Sequence, residues 1–196
     1  MASKRKKKYL KNKRKRKERR KSRKLQNQPR LAYDEYLHPF KEVIYEHYKP
    51  ATVSLYRWVH DPNVPDDFKP QIFQEISTIS PKKMKAPEVD APEEVILQYT
   101  SRFTLSHFVT PDEAMKAWQQ SLGNLLKKVK PEKKAEKTEN WIKKKGQYVV
   151  KIDYTEESGL IGPQTDGSHK EIFLYEETDV ASLIDKSFQP IKIEIQ

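Results

Sequence analysis

Between Lys4 and Lys24, sixteen of twenty-one residues are Lys or Arg, broken only by Tyr9, Leu10, Asn12, Glu18 and Ser22. The cations are Lys4, Arg5, Lys6, Lys7, Lys8, Lys11, Lys13, Arg14, Lys15, Arg16, Lys17, Arg19, Arg20, Lys21, Arg23 and Lys24. Such a run has no apolar face to bury and repels itself, so it is excluded from a core and is expected to be disordered. Whatever folds must therefore fold from about residue 31 onward, past a polar hinge that contains Pro29. Residues 1–30 hold seventeen basic residues and one acid, a net of +16, whereas residues 31–196 hold twenty-two basic and twenty-seven acidic, a net of −5. The chain reads as a basic tail, 1–30, and a mildly acidic body, 31–196.

Beside a polyanion the tail's self-repulsion is relieved, because each neutralised phosphate releases a condensed counterion. The segment 4–24 is expected to bind RNA or DNA without sequence preference. With Tyr9 as its single aromatic it has no platform on which bases could stack. RNA is slightly favoured, since disordered basic arms fold on structured RNA. The competing reading is a localisation or solubility segment, which in a eukaryote is a nuclear or nucleolar address. An anionic membrane surface is the weakest candidate, because apolar anchoring residues are missing. No apolar run reaches the length of a membrane span, and the tail lacks the apolar stretch of a secretory signal. The expectation is a cytoplasmic protein.

Residue types also limit the chemistry. No cysteine means no disulfide, thiolate metal site or cysteine nucleophile. Five glycines in 196 residues leave no phosphate-cradling loop of the Walker or dinucleotide type. His38, His47, His60, His107 and His169 include no pair at metal-binding spacing and no nucleophile motif, so they read as surface or structural histidines. The acids of 61–67 read as turn chemistry rather than as a metal site. Asp112 with Glu132-Lys133-Lys134 mimics a nuclease pattern, but both acids fall at helix starts, where capping explains them. No catalytic residue, metal or cofactor is assigned, and no motif assigns a family.

The body alternates helical and strand signals. Pro39 and Pro50 bracket a helix over 40–48, with Phe40, Ile44 and Tyr48 at four-residue spacing. Residues 52–60 alternate, with Val53, Leu55, Arg57 and Val59 on one face and Tyr56 and Trp58 on the other, which reads as a strand. A short helix is expected over Gln71–Ile79, followed by a Pro-rich connector at about 80–92. Val95, Leu97, Tyr99, Phe103 and Leu105 read as one long strand. Thr110-Pro111-Asp112-Glu113 is a capping box with Pro at the first helical position. The helix after it buries Met115, Trp118, Leu122, Leu125, Leu126 and Val129. A second, Lys-rich helix runs from Pro131 to Lys145 and stops at Gly146, anchored by Trp141 and Ile142. Strands are expected at 148–154, 171–176 and 191–195, with a short helix capped by Thr178-Asp179. The pattern predicts a single α+β domain with an antiparallel sheet and two or three packed helices.

Lys127–Lys145 carries nine lysines and three glutamates; it reads as an exposed helix and, as an alternative, as an extension of the tail's phosphate-binding surface. The connection at 155–170 is long for a hairpin, and its polar half marks Asp166, Gly167, Ser168 and His169 as a candidate partner-binding loop. The functional expectation is a non-enzymatic binding or adaptor protein, its tail on nucleic acid or a nucleoprotein particle and its acidic body on a protein. The alternative is an interaction or regulatory module, an inhibitor or accessory subunit, whose tail only localises or solubilises it.

Overall fold

The computed structural model describes Arg16 and residues 28–61, 65–74, 84–163 and 168–195. The chain divides into two units, Met1–Arg30 and Leu31–Gln196. Residues 1–15 and 17–27 of the tail, most of the expected helix over Gln71–Ile79, the start of the connector, Asp166 and Gly167 lie outside the described residues.

Unit Leu31–Gln196 is α+β. Its strands are β1 (Val53–Val59), β2 (Leu105–Phe108), β3 (Tyr148–Tyr154), β4 (Gly159–Ile161), β5 (His169–Leu174) and β6 (Ile191–Lys192). Its helices are α1 (Asp34–Leu37), α2 (Lys41–His47), α3 (Glu93–Thr100), α4 (Pro111–Leu126) and α5 (Lys134–Lys145), with a 3₁₀ turn at His38–Phe40 joining the first two. Among the described residues the six strands form one antiparallel sheet in the order β4-β5-β2-β1-β3-β6.

Alternation along the strands divides the core between the two faces. On one face Leu55, Val59, Leu105, Val150, Ile152, Tyr154 and Ile172 pack together with Phe68 and Val180. On the other, α4 and α5 cover Tyr56, Trp58, Phe108 and Val149 through Trp118, Leu122, Trp141 and Ile142. Phe173 and Leu160 meet Leu37, Phe40, Ile44, Ile96 and Phe103 from the helices at the β4-β5 end.

The capping box of α4 forms as expected: the Thr110 side chain accepts from the Glu113 N–H while the Thr110 N–H donates to the Glu113 carboxylate. Leu125 is left exposed, so the buried stripe of α4 is narrower than its apolar sequence. At the end of α5, Gly146 holds φ 75° and ψ 176°, a conformation open to glycine and strained for other residues.

Three expectations are corrected. Residues 95–105 do not form a strand: 93–100 is α3, 101–103 a 3₁₀ turn, and β2 begins only at Leu105. The buried set is Ile96, Tyr99, Thr100 and Phe103, at helical i, i+3, i+4, i+7 spacing, whereas Val95 is exposed. The 155–170 connection is not one long loop, because Gly159–Ile161 pairs with Ile172–Leu174 as β4. The final strand is shorter than expected: Ile191 and Lys192 pair with β3, Ile193 is buried, and Ile195 is exposed.

Candidate functional site

The pairing of β1 and β2 is confined to Tyr56 and Phe108. Past that point Trp58 and Ser106, which a continued ladder would place opposite one another, are not paired. A cavity of about 520 Å³ lies at this opening. Arg57, Trp58 and His60 line it from β1 and the residue that follows, Ser106 and Phe108 from β2, and Lys144 and Lys145 from the end of α5. Arg102, Asp67 and His169 complete its polar wall.

Arg57 is the innermost cation. It shares a face with Leu55 and Val59 and is only 9% exposed. Its Nε donates to the Asp67 carbonyl at 3.0 Å and its Nη1 to the Ser106 carbonyl at 2.8 Å. The second bond satisfies a β2 carbonyl where β1 does not pair with that strand. Burial lowers the affinity of Arg57 for its proton, opposed by Tyr154 and Asp67.

Beneath Arg57, His107 is fully buried. Burial, then the Arg57 charge, hold its pKa well below the usual histidine value. The neutral ring then donates from Nδ1 to the Leu105 carbonyl at 3.1 Å and accepts at Nε2 from the Tyr154 hydroxyl at 2.8 Å. Burial raises the Tyr154 pKa, which keeps that hydroxyl a donor.

His60 closes one side. Its Nδ1 contacts the Asp67 carboxylate and its Nε2 lies 2.8 Å from the Lys143 carbonyl, tying the end of β1 to the last turn of α5. Asp67 Oδ2 also accepts from the His60 and Asp61 backbone N–H groups, at 2.7 and 3.3 Å. Both imidazole nitrogens are thus engaged, and the pair braces the wall rather than presenting a free base. Lys145 is pushed down to about 8 by burial and by repulsion from Lys144 and Arg57. Its Nζ also lies 5.9 Å from the Trp141 ring centroid.

The sequence-derived candidates are dispersed. Of the sixteen tail cations only Arg16 lies among the described residues, where it is exposed. In the partner-loop candidate, the Ser168 carbonyl accepts from the Val109 N–H at 3.1 Å, and His169 pairs with Phe108 in the sheet and meets its ring edge-on. His169 thereby reaches the cavity wall. The Lys-rich helix is largely exposed, with Lys143 paired to Glu139 and its last two lysines at the cavity. Among the described residues no cluster of three or more His, Asp or Glu could hold a metal ion, and no helix is long and apolar enough to cross a membrane. Arg57 and Arg102 escaped the sequence reading as site residues. The signal for Arg57 is its charge on the apolar face of β1; the 3₁₀ turn that carries Arg102 lies within the strand-like alternation of 95–105. Comparison with protein-family models, curated proteins and solved structures finds no match to this chain.

Proposed function

We propose that this is a non-enzymatic binding protein, tethered by residues 4–24 to RNA or DNA, or to a nucleoprotein particle, while the acidic body contacts a protein. The observation that carries this reading is the division of charge: +16 over residues 1–30 against −5 over the rest. Sixteen cations spaced through twenty-one residues suit a polyanion of high charge density such as a nucleic-acid backbone. The body's opposite sign keeps it from competing for the same polymer and leaves it suited to a basic protein surface. The cytoplasm, or the nucleus and nucleolus in a eukaryote, is where such a tail meets RNA.

The test is fluorescence anisotropy with a labelled RNA oligomer, comparing the full chain with a chain lacking residues 1–30, whose fold is checked by circular dichroism. Loss of binding with an intact spectrum is expected. Equal affinity of the two proteins overturns the proposal.

A further inference from the structure

A buried guanidinium is costly unless it meets hydrogen-bond acceptors and opposite charge. Arg57 has two backbone carbonyls and the more distant charge of Asp67, but no carboxylate at ion-pair distance: among the described residues neither it, Arg102 nor Lys144 forms an ion pair. The carboxylate on the cavity wall, Asp67, has both oxygens committed to His60 and the His60 and Asp61 backbone. Among the described residues that line the cavity, Arg57, Arg102 and Lys144 therefore outweigh the one carboxylate, and Lys145 stands beside them. Burial, and after it repulsion from Lys144 and Arg57, lowers the proton affinity of Lys145, and that repulsion is what an anion would relieve.

We propose that the opening between β1 and β2 is a binding site for a phosphoryl group, with Arg57 at its base and Arg102, Lys144 and Lys145 around it. A carboxylate brings one charge in one plane. A phosphate monoester brings up to two charges and three terminal oxygens in different directions, which suits cations arriving from β1, α5 and the turn after α3. The cavity, at about 520 Å³, is in the size range of small-ligand sites and is larger than a bare phosphate requires. Trp58, stacked with Phe108 at 5.0 Å, bounds the remaining space. Its indole N–H is already spent on the Ala114 carbonyl, so the ring offers apolar contact rather than a hydrogen bond. This site does not rest on the tail. The phosphoryl group could belong to a free phosphate ester or to the terminal phosphate of a nucleic-acid strand.

The full chain, ¹⁵N-labelled, would be titrated with inorganic phosphate, adenosine monophosphate and adenosine, following the Trp58 indole N–H signal assigned through Trp58→Phe. Saturable shifts with phosphate and the monophosphate but not with adenosine are expected. The Arg102→Gln/Lys144→Gln double variant, which changes only exposed side chains and so should keep its fold, is expected to weaken both by about tenfold. Single-stranded oligomers with a 5′-phosphate or a 5′-hydroxyl separate the sources. Preference for the phosphorylated end over the free monophosphate assigns the strand terminus, and the reverse assigns the small ester. No saturable shift with phosphate or the monophosphate, or unchanged affinity in the double variant, overturns the proposal. Failure of the tail to bind RNA would leave the phosphate titration unaffected, so the two readings fail separately.

Discussion

Arg57 stands in the register of Leu55 and Val59, where a strand buried on that face asks for an apolar side chain. The exchange is tolerated because its guanidinium takes over the Ser106 carbonyl where β1 and β2 cease to pair. The same crowding of cations sets a pH dependence. The proposed phosphate-ester ligand loses its second proton near about pH 6. Lys145, facing Lys144, Arg57 and the Trp141 ring, loses its charge near about 8. His107 stays neutral between those limits and contributes no charge change. Adenosine monophosphate affinity should therefore rise from about pH 5 to about pH 7 and fall toward about pH 9, and Lys145→Met should flatten the alkaline limb. Calorimetric titration across that range checks both limbs. At the wall, Asp67→Ala strips the acceptor from the His60 and Asp61 N–H groups and from the His60 ring, and should cost ~1–3 kcal/mol in urea unfolding. Asp67→Asn keeps an acceptor and should cost less.

Elements differ in how openly they declare themselves. α4 is marked by local chemistry, and Thr110→Ala should remove about 1 kcal/mol of stability by breaking its cap, measurable by chemical denaturation. α5 ends where Gly146 permits it. An alanine Cβ there would overlap the Val59 carbonyl group, and the positive φ alone costs ~1–3 kcal/mol, so Gly146→Ala should be the more damaging change in the same assay. Because the Gly146 carbonyl also accepts from the Trp118 indole, this distortion reaches the α4 contact. In α3 two periods overlap. Val95, Leu97 and Tyr99 alternate as in a strand, while Ile96, Tyr99, Thr100 and Phe103 recur as in a helix. The start signal that breaks the tie is Pro92 followed by Glu93 and Glu94, acids suited to the first turn of a helix. β4 was illegible for another reason. Three residues, all buried, have no polar alternation to display, and their strand character comes from pairing with β5. The site was readable only in pieces: Arg57 and Lys144 lie 87 positions apart in sequence. Their meeting depends on β1 parting from β2 beneath the end of α5, which no local pattern encodes.

At the scale of the chain, the division of charge would separate the two proposed kinds of anion recognition by their salt responses. The proposed tail binding would depend on counterion release, which follows the number of phosphates engaged rather than the geometry of any one contact. If the tail neutralises ~6–10 phosphates, RNA affinity should fall by ~10³–10⁵ between about 50 and 200 mM salt. The cavity would engage a single phosphoryl group, and its innermost cation, Arg57, is buried and shielded less by ions in bulk water than the exposed Arg102 and Lys144. Phosphate binding followed at Trp58 should therefore lose far less over the same salt interval. Replacing half of the tail cations by Gln should reduce the salt slope of RNA binding roughly in proportion and leave the Trp58 titration unchanged. Arg102→Gln/Lys144→Gln should do the opposite. Measuring both titrations for both variants makes the comparison decisive: if either change moved the two together, tail and cavity would be one electrostatic surface rather than two sites.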